Sequence, residues 1–587
     1  MEGGGHRGSP GRAPPGGGGG GGGWVGGLNF YEWGRPACHC RAARRVSAAS
    51  SGGRRSPVRP APVPPPMAAG RRAPPEPGGG PVLLQGIFGA GATPGAASCS
   101  LVLTARELQV RRPPGSSGGS PGPDAALRLA DCVGSVAFPA AAAAAACFSV
   151  VCYPFRGPRW GSPARQRLER TFRVCLGPDA EGNLRIAQAW SRRIRELSVP
   201  AVPTQDGDSY GVLPRPCRAL VLLNPQSGTG RALEDFQAVV QPMLAEADIA
   251  TTVFITERPH HAHEKVRDED LSQWDTLVVM AGDGLLYEVV NGLMERPDWE
   301  ETMKKPLCIL PGGSGNALAA SINHYAGNDH VTKKKLLTNC TFILCKGLHT
   351  QMDLVSLSTA SGKRLFSFLG FGWGFISDVD IDSEKYRWLG NARFTLGTLQ
   401  CLAKLRVYQG RLSYLPAVPE QGSPPAPRDP HAPVTNGQAG RILPPAGTEA
   451  PGALPADSLL VPLCQPVPAH WTVVPEEEFV SVYAIYQSHL GTNLLMAPAA
   501  QLHDGCIHLF YLKAGISRVA LLKIFLAMAR GTHLDLNCPH LRYVPVRAFR
   551  LEPRAATGIM TVDGEVLACE PVQGQIHSRL CRVLSGS

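Results

Sequence analysis

Three short glycine-rich segments of the chain could bind phosphate groups. They read NPQSGTG at 224–230, AGDGL at 281–285 and PGGSGNAL at 311–318. Each follows a short apolar run, at 219–224, 276–280 and 307–310, and each precedes a segment typical of a helix. Glycine lets the backbone approach a phosphate closely, and the free N–H groups at a helix N-terminus attract negative charge. The second segment also carries a carboxylate, Asp283, between two glycines.

The same segments exclude the commoner nucleotide-binding classes. A Walker A loop needs GxxxxGK followed by Ser or Thr, and the chain contains no such string. The HRD and DFG strings of protein kinases are also missing. A dinucleotide-binding loop needs a third glycine, which the 224–230 segment lacks at the required offset.

The elements around these segments predict two domains. Apolar strands that alternate with helices indicate an α/β nucleotide-binding domain with a parallel sheet over 215–345. In such a sheet the three loops emerge at the carboxyl edge, where open α/β folds bind ligands. From 346 to 587 strands dominate, at 352–357, 366–371, 480–486, 507–512, 544–551 and 558–562, with one helix near 518–529. This pattern predicts a β-rich domain.

Two further segments differ in composition. Residues 1–80 are rich in Gly, Pro and Arg and predict a disordered basic tail. Between Pro416 and Pro468 lie 14 prolines, which predict a disordered insertion over 416–468. Residues 81–200 contain strands at 82–88, 100–104 and 147–153 and an amphipathic helix at 182–197 around Trp190. They resemble a small pleckstrin-homology-like α+β module, and a generic α+β cap fits the pattern equally well.

Charge and cysteine usage narrow the classes of partner and compartment. The formal net charge is +11, but residues 1–80 hold 11 Arg and 3 Glu, so the rest of the chain carries only +3. That distribution does not predict a nucleic-acid partner. The 17 Cys include no CxxC pair, which favours reduced thiols and a cytoplasmic location. No apolar stretch reaches about 20 residues, so the sequence predicts no membrane span.

The motifs together resemble the diacylglycerol kinase catalytic superfamily and, in finer detail, sphingosine kinases. The finer matches are TER at 256–258, VNGL at 290–293, WGF at 373–375, FTLGT at 394–398, SHLG at 488–491 and VDGE at 562–565. The catalytic half resembles the type 1 form of the family, and the long N-terminal extension resembles type 2. The resemblance implies a lipid kinase that uses Mg-ATP, phosphorylates the primary hydroxyl of sphingosine or dihydrosphingosine, and binds the lipid in its β-rich domain.

The resemblance also implies the site residues. Asp283 is expected to accept the proton of the substrate hydroxyl or to orient that hydroxyl. The substrate is expected to contact Ala281, Gly282, Asp283, Gly284 and Asp380. The expected ATP contacts are Asn224, Pro225, Gln226, Thr256, Glu257, Arg258, Pro259, His260, Glu288, Gly313, Ser314, Gly315, Arg387, Arg393, Asp563, Gly564 and Glu565. Magnesium would come with ATP, and Asp563 or Glu565 would hold it.

Structural alternatives exist for several of these residues. Asp283 could cap the helix that follows it, and Glu288 could be an exposed helix carboxylate. Arg387 and Arg393 could belong to a solvated basic face. The 563–565 turn could be an ordinary hairpin turn.

Asp380 decides the substrate class. A sphingoid base carries an ammonium group that needs an acidic partner once desolvated, whereas ceramide and diacylglycerol carry no such charge. Asp378 and Asp382 are neighbouring candidates for the same role. Gly370 is a departure from the family pattern, because the type 1 resemblance leads us to expect a serine there, close to the lipid head group.

The expected partners are sphingosine and an anionic membrane surface, with peripheral association at the plasma membrane, endoplasmic reticulum or nucleus. The basic, apolar segment 391–412 is a candidate for binding calmodulin or anionic lipid, or for a helix packed on the lipid-binding domain. A homodimer is a further expectation. The alternative functions are a ceramide or diacylglycerol kinase and a non-catalytic, membrane-recruited scaffold.

Overall fold

The structure is a computed structural model that describes residues 81–586. Within that range it leaves out 94, 96, 112–124, 142–143, 158–161, 200–209, 329, 332–333, 390–391 and 418–452, and the side chains of 387, 388 and 392. The predicted tail at 1–80 and most of the predicted insertion therefore lie outside the described residues. None of the described helices is long and apolar enough to cross a membrane.

An antiparallel sheet and one helix form the first unit of the described chain. Its strands run in the order β4-β3-β2-β1-β9-β6-β5, and β7 pairs separately with β8. Asp179 caps the helix α1 by accepting the N–H groups of Glu181 and Gly182. The elements are β1 (Leu84–Ala90), β2 (Ser98–Leu103), β3 (Glu107–Arg111), β4 (Ala125–Arg128), β5 (Cys132–Pro139), β6 (Ala146–Cys152), β7 (Phe155–Arg156), β8 (Ala164–Arg165), β9 (Leu168–Val174) and α1 (Ala180–Ser198).

The buried face of α1 is the one that the sequence predicts. Trp190 and Ile194 are buried, and Ile186 and Leu197 pack at the edge of the same cluster. The ring of Trp190 stacks on Phe148 with centroids 5.9 Å apart. The 3.6-residue period of these side chains thus places one apolar stripe against the sheet.

A buried lysine joins this unit to the next one. Lys346 donates to the backbone carbonyls of Leu129 at 3.4 Å, Cys132 at 3.1 Å and Ser198. Burial lowers the pKa of Lys346 to about 8. Because a buried cation is costly unless its donors are satisfied, these three carbonyls fix the first unit on the second.

A parallel sheet forms the centre of the second unit. Its strands run in the order β12-β11-β13-β14, and all four are parallel. The predicted strands at 219–224, 276–280 and 307–310 are present, and β12 is added at one edge. The elements are β10 (Gly211–Val212), β11 (Cys217–Leu223), α2 (Ala232–Asp235), α3 (Gln241–Glu246), β12 (Ile249–Ile255), α4 (His261–Asp268), β13 (Thr276–Ala281), α5 (Asp283–Met294), α6 (Trp299–Thr302), β14 (Leu307–Pro311), α7 (Ala317–Tyr325) and α8 (Lys334–Lys346).

The remainder of the chain forms antiparallel strands in the order β27-β24-β18-β20-β17-β25-β26. The last strand, β27, also pairs with β14 at Leu307 and Val583, so one sheet continues through both parts. The elements are β15 (Leu348–Thr359), β16 (Arg364–Ser367), β17 (Gly370–Gly374), α9 (Phe375–Ser383), α10 (Ala392–Lys404), β18 (Tyr408–Pro416), β19 (Thr472–Val473), β20 (Glu478–Ile485), β21 (His489–Gly491), β22 (Leu494–Leu495), β23 (Ile507–Lys513), α11 (Arg518–Met528), β24 (Leu541–Pro553), β25 (Met560–Val562), β26 (Glu565–Leu567) and β27 (Val572–Gly586).

The prediction of a disordered insertion over 416–468 is wrong for its last part. Residues 453–468 lie against the β-rich sheet without forming a strand or helix. The buried guanidinium of Arg550 donates to the carbonyls of Gln465 at 2.6 Å and Val461 at 2.8 Å. Asp457 pairs with Arg364 at 2.8 Å. Prolines remove N–H donors but leave carbonyl acceptors, so a buried arginine can order a proline-rich segment.

Replacing Arg550 with methionine should release this segment. The carbonyls of Val461 and Gln465 and the side chain of Gln573 would lose a buried donor. We expect the free energy of unfolding to fall by about 3 kcal/mol, measured by chemical denaturation, with faster proteolysis within 453–468. Arg554→Met is the matched control, since Arg554 makes only an exposed ion pair with Glu477. Equal effects of the two substitutions would contradict this account.

Candidate active site

The three glycine-rich loops meet backbone to backbone at the carboxyl edge of the parallel sheet. A side chain at Gly228 in the first loop would come within 2.7 Å of the carbonyl oxygen of Gly312 in the third. A side chain at Gly313 would overlap the backbone of Gly282 in the second loop. The loops therefore form one continuous surface of main chain, which only glycine permits at these contacts.

Asp283 ties the second loop to the third. It is the first residue of α5, and its carboxylate accepts the N–H groups of Ala317 at 2.9 Å and Leu318 at 3.2 Å. Those N–H groups belong to the first turn of α7, so Asp283 caps α7 and not the helix that follows it. Burial raises the pKa of Asp283, and the two N–H donors act in the opposite direction.

The first loop lies beside the segment that follows β12. Thr256 is buried, and its N–H donates to the carbonyl of Leu223 at 2.9 Å. The N–H of Glu257 donates to His261 Nδ1 at 3.2 Å, while the side chain of Arg258 pairs with Glu264 in solvent. Asn224, Pro225, Gln226, Thr256, Glu257, Arg258, Pro259 and His260 thus all lie at one corner of the sheet edge, because β11 and β12 are neighbours.

Two residues that the sequence did not single out hold the third loop in place. Asn316 binds Gly313 twice, accepting its N–H at 2.9 Å and donating to its carbonyl at 2.8 Å. Thr492 donates to the carbonyl of Gly315 from its N–H at 3.0 Å and from its hydroxyl at 2.6 Å. Thr492 directly follows the SHLG motif at 488–491, and that adjacency is the only signal that could have indicated it.

The turn at 563–565 returns to the site from the far end of the chain. The carboxylate of Asp563 accepts the hydroxyl of Ser367 at 2.6 Å and the N–H groups of Gly370 at 2.9 Å, Leu369 at 3.0 Å and Phe368 at 3.1 Å. Burial raises its pKa to about 6. Asp563 therefore anchors the backbone before β17, and its contact with a metal ion stays a prediction.

Glu565, in contrast, faces the second loop. A side chain at Gly284 would overlap its carboxylate. Gly564, between the two acids, lies against α9, and a side chain there would be 3.7 Å from Asp380 Oδ2. The turn therefore brings the Glu565 carboxylate, the second loop and Asp380 together.

Asp380 is the acid of α9 that faces this site. Arg393 Nη2 lies 3.3 Å from its carboxylate, and Arg393 Nη1 lies 3.5 Å from Glu384. Burial raises the pKa of Asp380 to about 6, with Arg393 acting against the rise. The buried Arg393 is thus paired with two acids, and its contact with phosphate stays a prediction. The side chain of Arg387 lies outside the described residues.

The two neighbouring acids of α9 have other partners. Asp378 accepts the hydroxyl of Tyr408 and lies 3.9 Å from Arg406. Asp382 lies 3.9 Å from the Cys401 thiol. The sequence left Asp378 and Asp382 as alternatives to Asp380, and in the structure both have partners different from those of Asp380.

Glu288 is half-buried on α5, so the alternative that it is an exposed helix carboxylate is wrong. Its Oε2 atom is buried and has no hydrogen-bond partner among the described residues. A buried acceptor without a partner is costly, so this atom is suited to a ligand donor.

An apolar cavity is lined by Ile376, which lies one helical turn before Asp380 on α9. It lies between α9, β20, β23 and α11, and one wall is the ring of Tyr483. The other apolar lining residues include Ile376, Met496, Phe510, Leu512, Ile524, Phe525, Met528 and Leu541. The site thus combines a polar, acidic end with an apolar compartment.

Comparisons with known proteins fit this arrangement. The diacylglycerol kinase catalytic domain family matches residues 218–357, and the YegS C-terminal NAD kinase beta sandwich-like domain matches residues 473–585. Sphingosine kinase 1 of Homo sapiens is 56% identical over 65% of this chain and 94% of its own length. The chain belongs to the sphingosine kinase family.

Members of this family differ in how much of the chain they match. Sphingosine kinase 2 of Homo sapiens is 38% identical over 90% of this chain and 93% of its own length. The predicted resemblance to type 1 in the catalytic half and to type 2 in the extension is thereby confirmed. As a family member with a kinase catalytic domain, the chain is an ATP-dependent lipid kinase.

Replacing Thr492 with valine should loosen the third loop. The change keeps the side-chain volume but removes the 2.6 Å hydroxyl bond to Gly315. One hydrogen bond contributes about 1 kcal/mol, so KM for ATP should rise about fivefold with little change in KM for the lipid. Thr338→Val, which removes an exposed hydroxyl on α8, is the control. An equal rise in both KM values would contradict a role confined to the loop.

Proposed function

We propose that this kinase transfers the γ-phosphate of ATP to the primary hydroxyl of sphingosine and dihydrosphingosine, forming sphingosine 1-phosphate and its analogue. The observation that carries the proposal is the position of Asp380, which lies beside Gly564 and one turn of α9 beyond Ile376, a residue that lines the apolar cavity. A sphingoid base has a hydroxyl to phosphorylate, an adjacent ammonium and a long apolar chain. The second loop, Asp380 and the cavity match these three features in the same order.

Asp283 would orient the attacking hydroxyl. Its two bonds to the N-terminus of α7 hold the carboxylate in place and stabilise its charged form. Because burial raises the pKa of Asp283 in spite of these two bonds, the carboxylate would both aim the substrate O–H group and accept its proton. Proton acceptance would be completed as the bond to phosphorus forms.

The loop surface would bind the nucleotide. The backbone of 313–315 would line the phosphates, with N–H groups donated by Ser314 and Gly315, because the N–H of Gly313 is bound to Asn316 and those of Ala317 and Leu318 to Asp283. Residues 224–226 and 256–260 lie at the neighbouring corner, where they would contact the rest of ATP. Glu288, with its unpartnered buried oxygen, would accept a hydrogen bond from the nucleotide.

Of the two acids proposed for magnesium, Glu565 fits and Asp563 does not. Both oxygens of Asp563 already accept donors from 367–370, whereas Glu565 faces the second loop. Within the described residues no cluster of three or more His, Cys, Asp or Glu side chains could hold a metal ion. Mg²⁺ bound with ATP would neutralise phosphate charge, and most of its ligands would be phosphate oxygens and water.

The apolar cavity supports a lipid-binding role for the β-rich domain. Its walls come from α9, α11, β20 and β23, and an apolar chain would replace no hydrogen bonds there. A ceramide or diacylglycerol kinase would have no use for the buried acid Asp380 on α9. The family match does not favour that alternative or a non-catalytic scaffold.

The helices beside the cavity support docking on an anionic membrane. Leu396 and Leu399 of α10 are 40% and 52% exposed, and Val519 and Leu526 of α11 are each 64% exposed. Lys404, Arg406 and Lys523 lie on the same two helices or the residues that follow them. Exposed apolar side chains flanked by cations are typical of a membrane-surface site.

Other expected partners stay predictions. The buried side chains of Cys401 and Leu402 pack α10 on the β-rich domain, so calmodulin binding at 391–412 would first require α10 to detach. The antiparallel sheet and terminal helix of 81–200 support the pleckstrin-homology-like interpretation. The homodimer, the cytoplasmic location and the membranes visited rest on the sequence alone.

Asp283→Asn should remove turnover while leaving the fold intact. Positioned acid–base groups contribute about 10²–10⁴-fold to the rate. The Asn amide has one acceptor oxygen, so it can accept only one of the two α7 N–H groups. Asp353→Asn is a matched control, because Asp353 also accepts two backbone N–H groups but lies elsewhere, near Gly505 and Arg579. Both variants should lose about 1–2 kcal/mol of stability, but only the first should lose activity. Turnover of Asp283→Asn within tenfold of the parent would refute the assigned role.

Binding of sphingosine should fall as Asp380 becomes protonated. Its pKa of about 6 lies above the ordinary value, so the carboxylate that pairs with the ammonium is lost as pH drops below about 6. We expect kcat/KM for sphingosine to decrease roughly tenfold per pH unit below that point, measured between pH 5 and 7.5. Asp380→Asn should have a low kcat/KM for sphingosine that does not change with pH over this range.

Asp382→Asn is the control for this pH profile, since Asp382 is on the same helix as Asp380 but lies beside the Cys401 thiol of α10. It should keep the profile of the parent. A profile that persists in Asp380→Asn, or one that disappears in Asp382→Asn, would assign the ammonium to another acid.

A further inference from the structure

Two glycines make room for one tyrosine at the border between the acids and the cavity. Tyr483 on β20 lies directly opposite Gly372 on β17. A side chain at Gly372 would come within 2.7 Å of the Tyr483 ring, and one at Gly370 would come within 3.0 Å. The ring therefore occupies the space that side chains at 370 and 372 would need. The serine expected at 370 does not fit beside this ring.

The two ends of Tyr483 meet different surroundings. Its ring lines the apolar cavity, and the side chain is almost completely buried. Beyond desolvation, the negative charges of Asp380, Asp563 and Asp283 raise the pKa of its hydroxyl well above the ordinary value. The phenol thus stays protonated and is a neutral hydrogen-bond donor among acids.

The hydroxyl of Tyr483 makes no hydrogen bond within the described part of the chain. Tyr408 bonds to Asp378 and Tyr325 to Ser488, whereas the buried hydroxyl of Tyr486, on the other face of the sheet, also lacks a partner among the described residues. A buried hydroxyl usually finds a partner, so a donor at the junction of the acids and the cavity is suited to a ligand.

The substrate offers one polar group that the proposed site does not yet bind. A sphingoid base carries its primary hydroxyl on C1, its ammonium on C2 and a secondary hydroxyl on C3. Asp283 would bind the C1 hydroxyl, and Asp380 would bind the ammonium. C3 is also where the polar head joins the apolar chain, as Tyr483 lies where the acids join the cavity.

We propose that the hydroxyl of Tyr483 binds the C3 hydroxyl of the substrate and replaces the hydrogen bond expected from a serine at position 370. This inference rests on the proposed function and deepens it. A neutral donor suits this place, because the C3 hydroxyl is uncharged and Asp380 already pairs with the ammonium. A site built to bond a hydroxyl also rejects analogues that lack it, since its own polar group would be left unpaired.

The test compares two substrates on Tyr483→Phe. The substrates are dihydrosphingosine and its 3-deoxy analogue, which keeps the primary hydroxyl and the ammonium. The parent should prefer dihydrosphingosine about tenfold in kcat/KM, as expected for one buried hydrogen bond. Phenylalanine keeps the ring that covers Gly372, so the variant should lose that preference through a lower kcat/KM for dihydrosphingosine alone.

Tyr486→Phe is the control variant. Tyr486 follows the same strand, but its buried ring packs in the cluster on the other face of the sheet. It should retain the tenfold preference of the parent.

Three outcomes would overturn the inference. An equal loss on both substrates would show that the hydroxyl matters for packing. No loss on either would show that it does not contact the substrate. A parent enzyme without preference between the two lipids would show that the C3 hydroxyl is not bound. Inactivity of the parent towards both would instead contradict the proposed function itself.

Discussion

The carboxylate of Asp283 at the N-terminus of α7 is the contact on which the site depends. It lies between two glycines on one loop and binds the N–H groups of Ala317 and Leu318 behind another. The charge favours the positive end of the helix, and the helix end would otherwise leave N–H groups unpaired. One side chain therefore fixes the distance between two phosphate-binding loops while keeping an acid at their junction.

The β-rich domain completes the site from the other side. Thr492 holds the carbonyl of Gly315, and Asp563 gathers the backbone of 367–370 in front of β17. Because β27 pairs with both β14 and β15, the C-terminal strands are built into the same sheet as the catalytic loops. The position of Glu565 against Gly284 follows from that continuity.

The electrostatic balance around Asp380 explains how one pocket can hold a cationic head group. Burial raises the pKa of Asp380, the charges of Glu384, Asp283 and Glu565 raise it further, and Arg393 lowers it. An ammonium entering this region would therefore find excess negative charge. The exposed Leu526 of α11 follows Phe525, which lines the same cavity.

The sequence by itself determined the strand–loop–helix units, the acid between two glycines, the family and most of the β-rich strands. These depend on local patterns, since apolar periodicity and glycine act over a few residues. Only the tertiary structure decided that Asp283 caps α7 and that Arg393 pairs with Asp380. It also decided that both carboxylate oxygens of Asp563 accept hydrogen bonds from 367–370, and that Arg550 orders 453–468. The partner of a buried polar group is set by packing between segments that can be almost 200 residues apart, as with Ser367 and Asp563, and no local pattern records it.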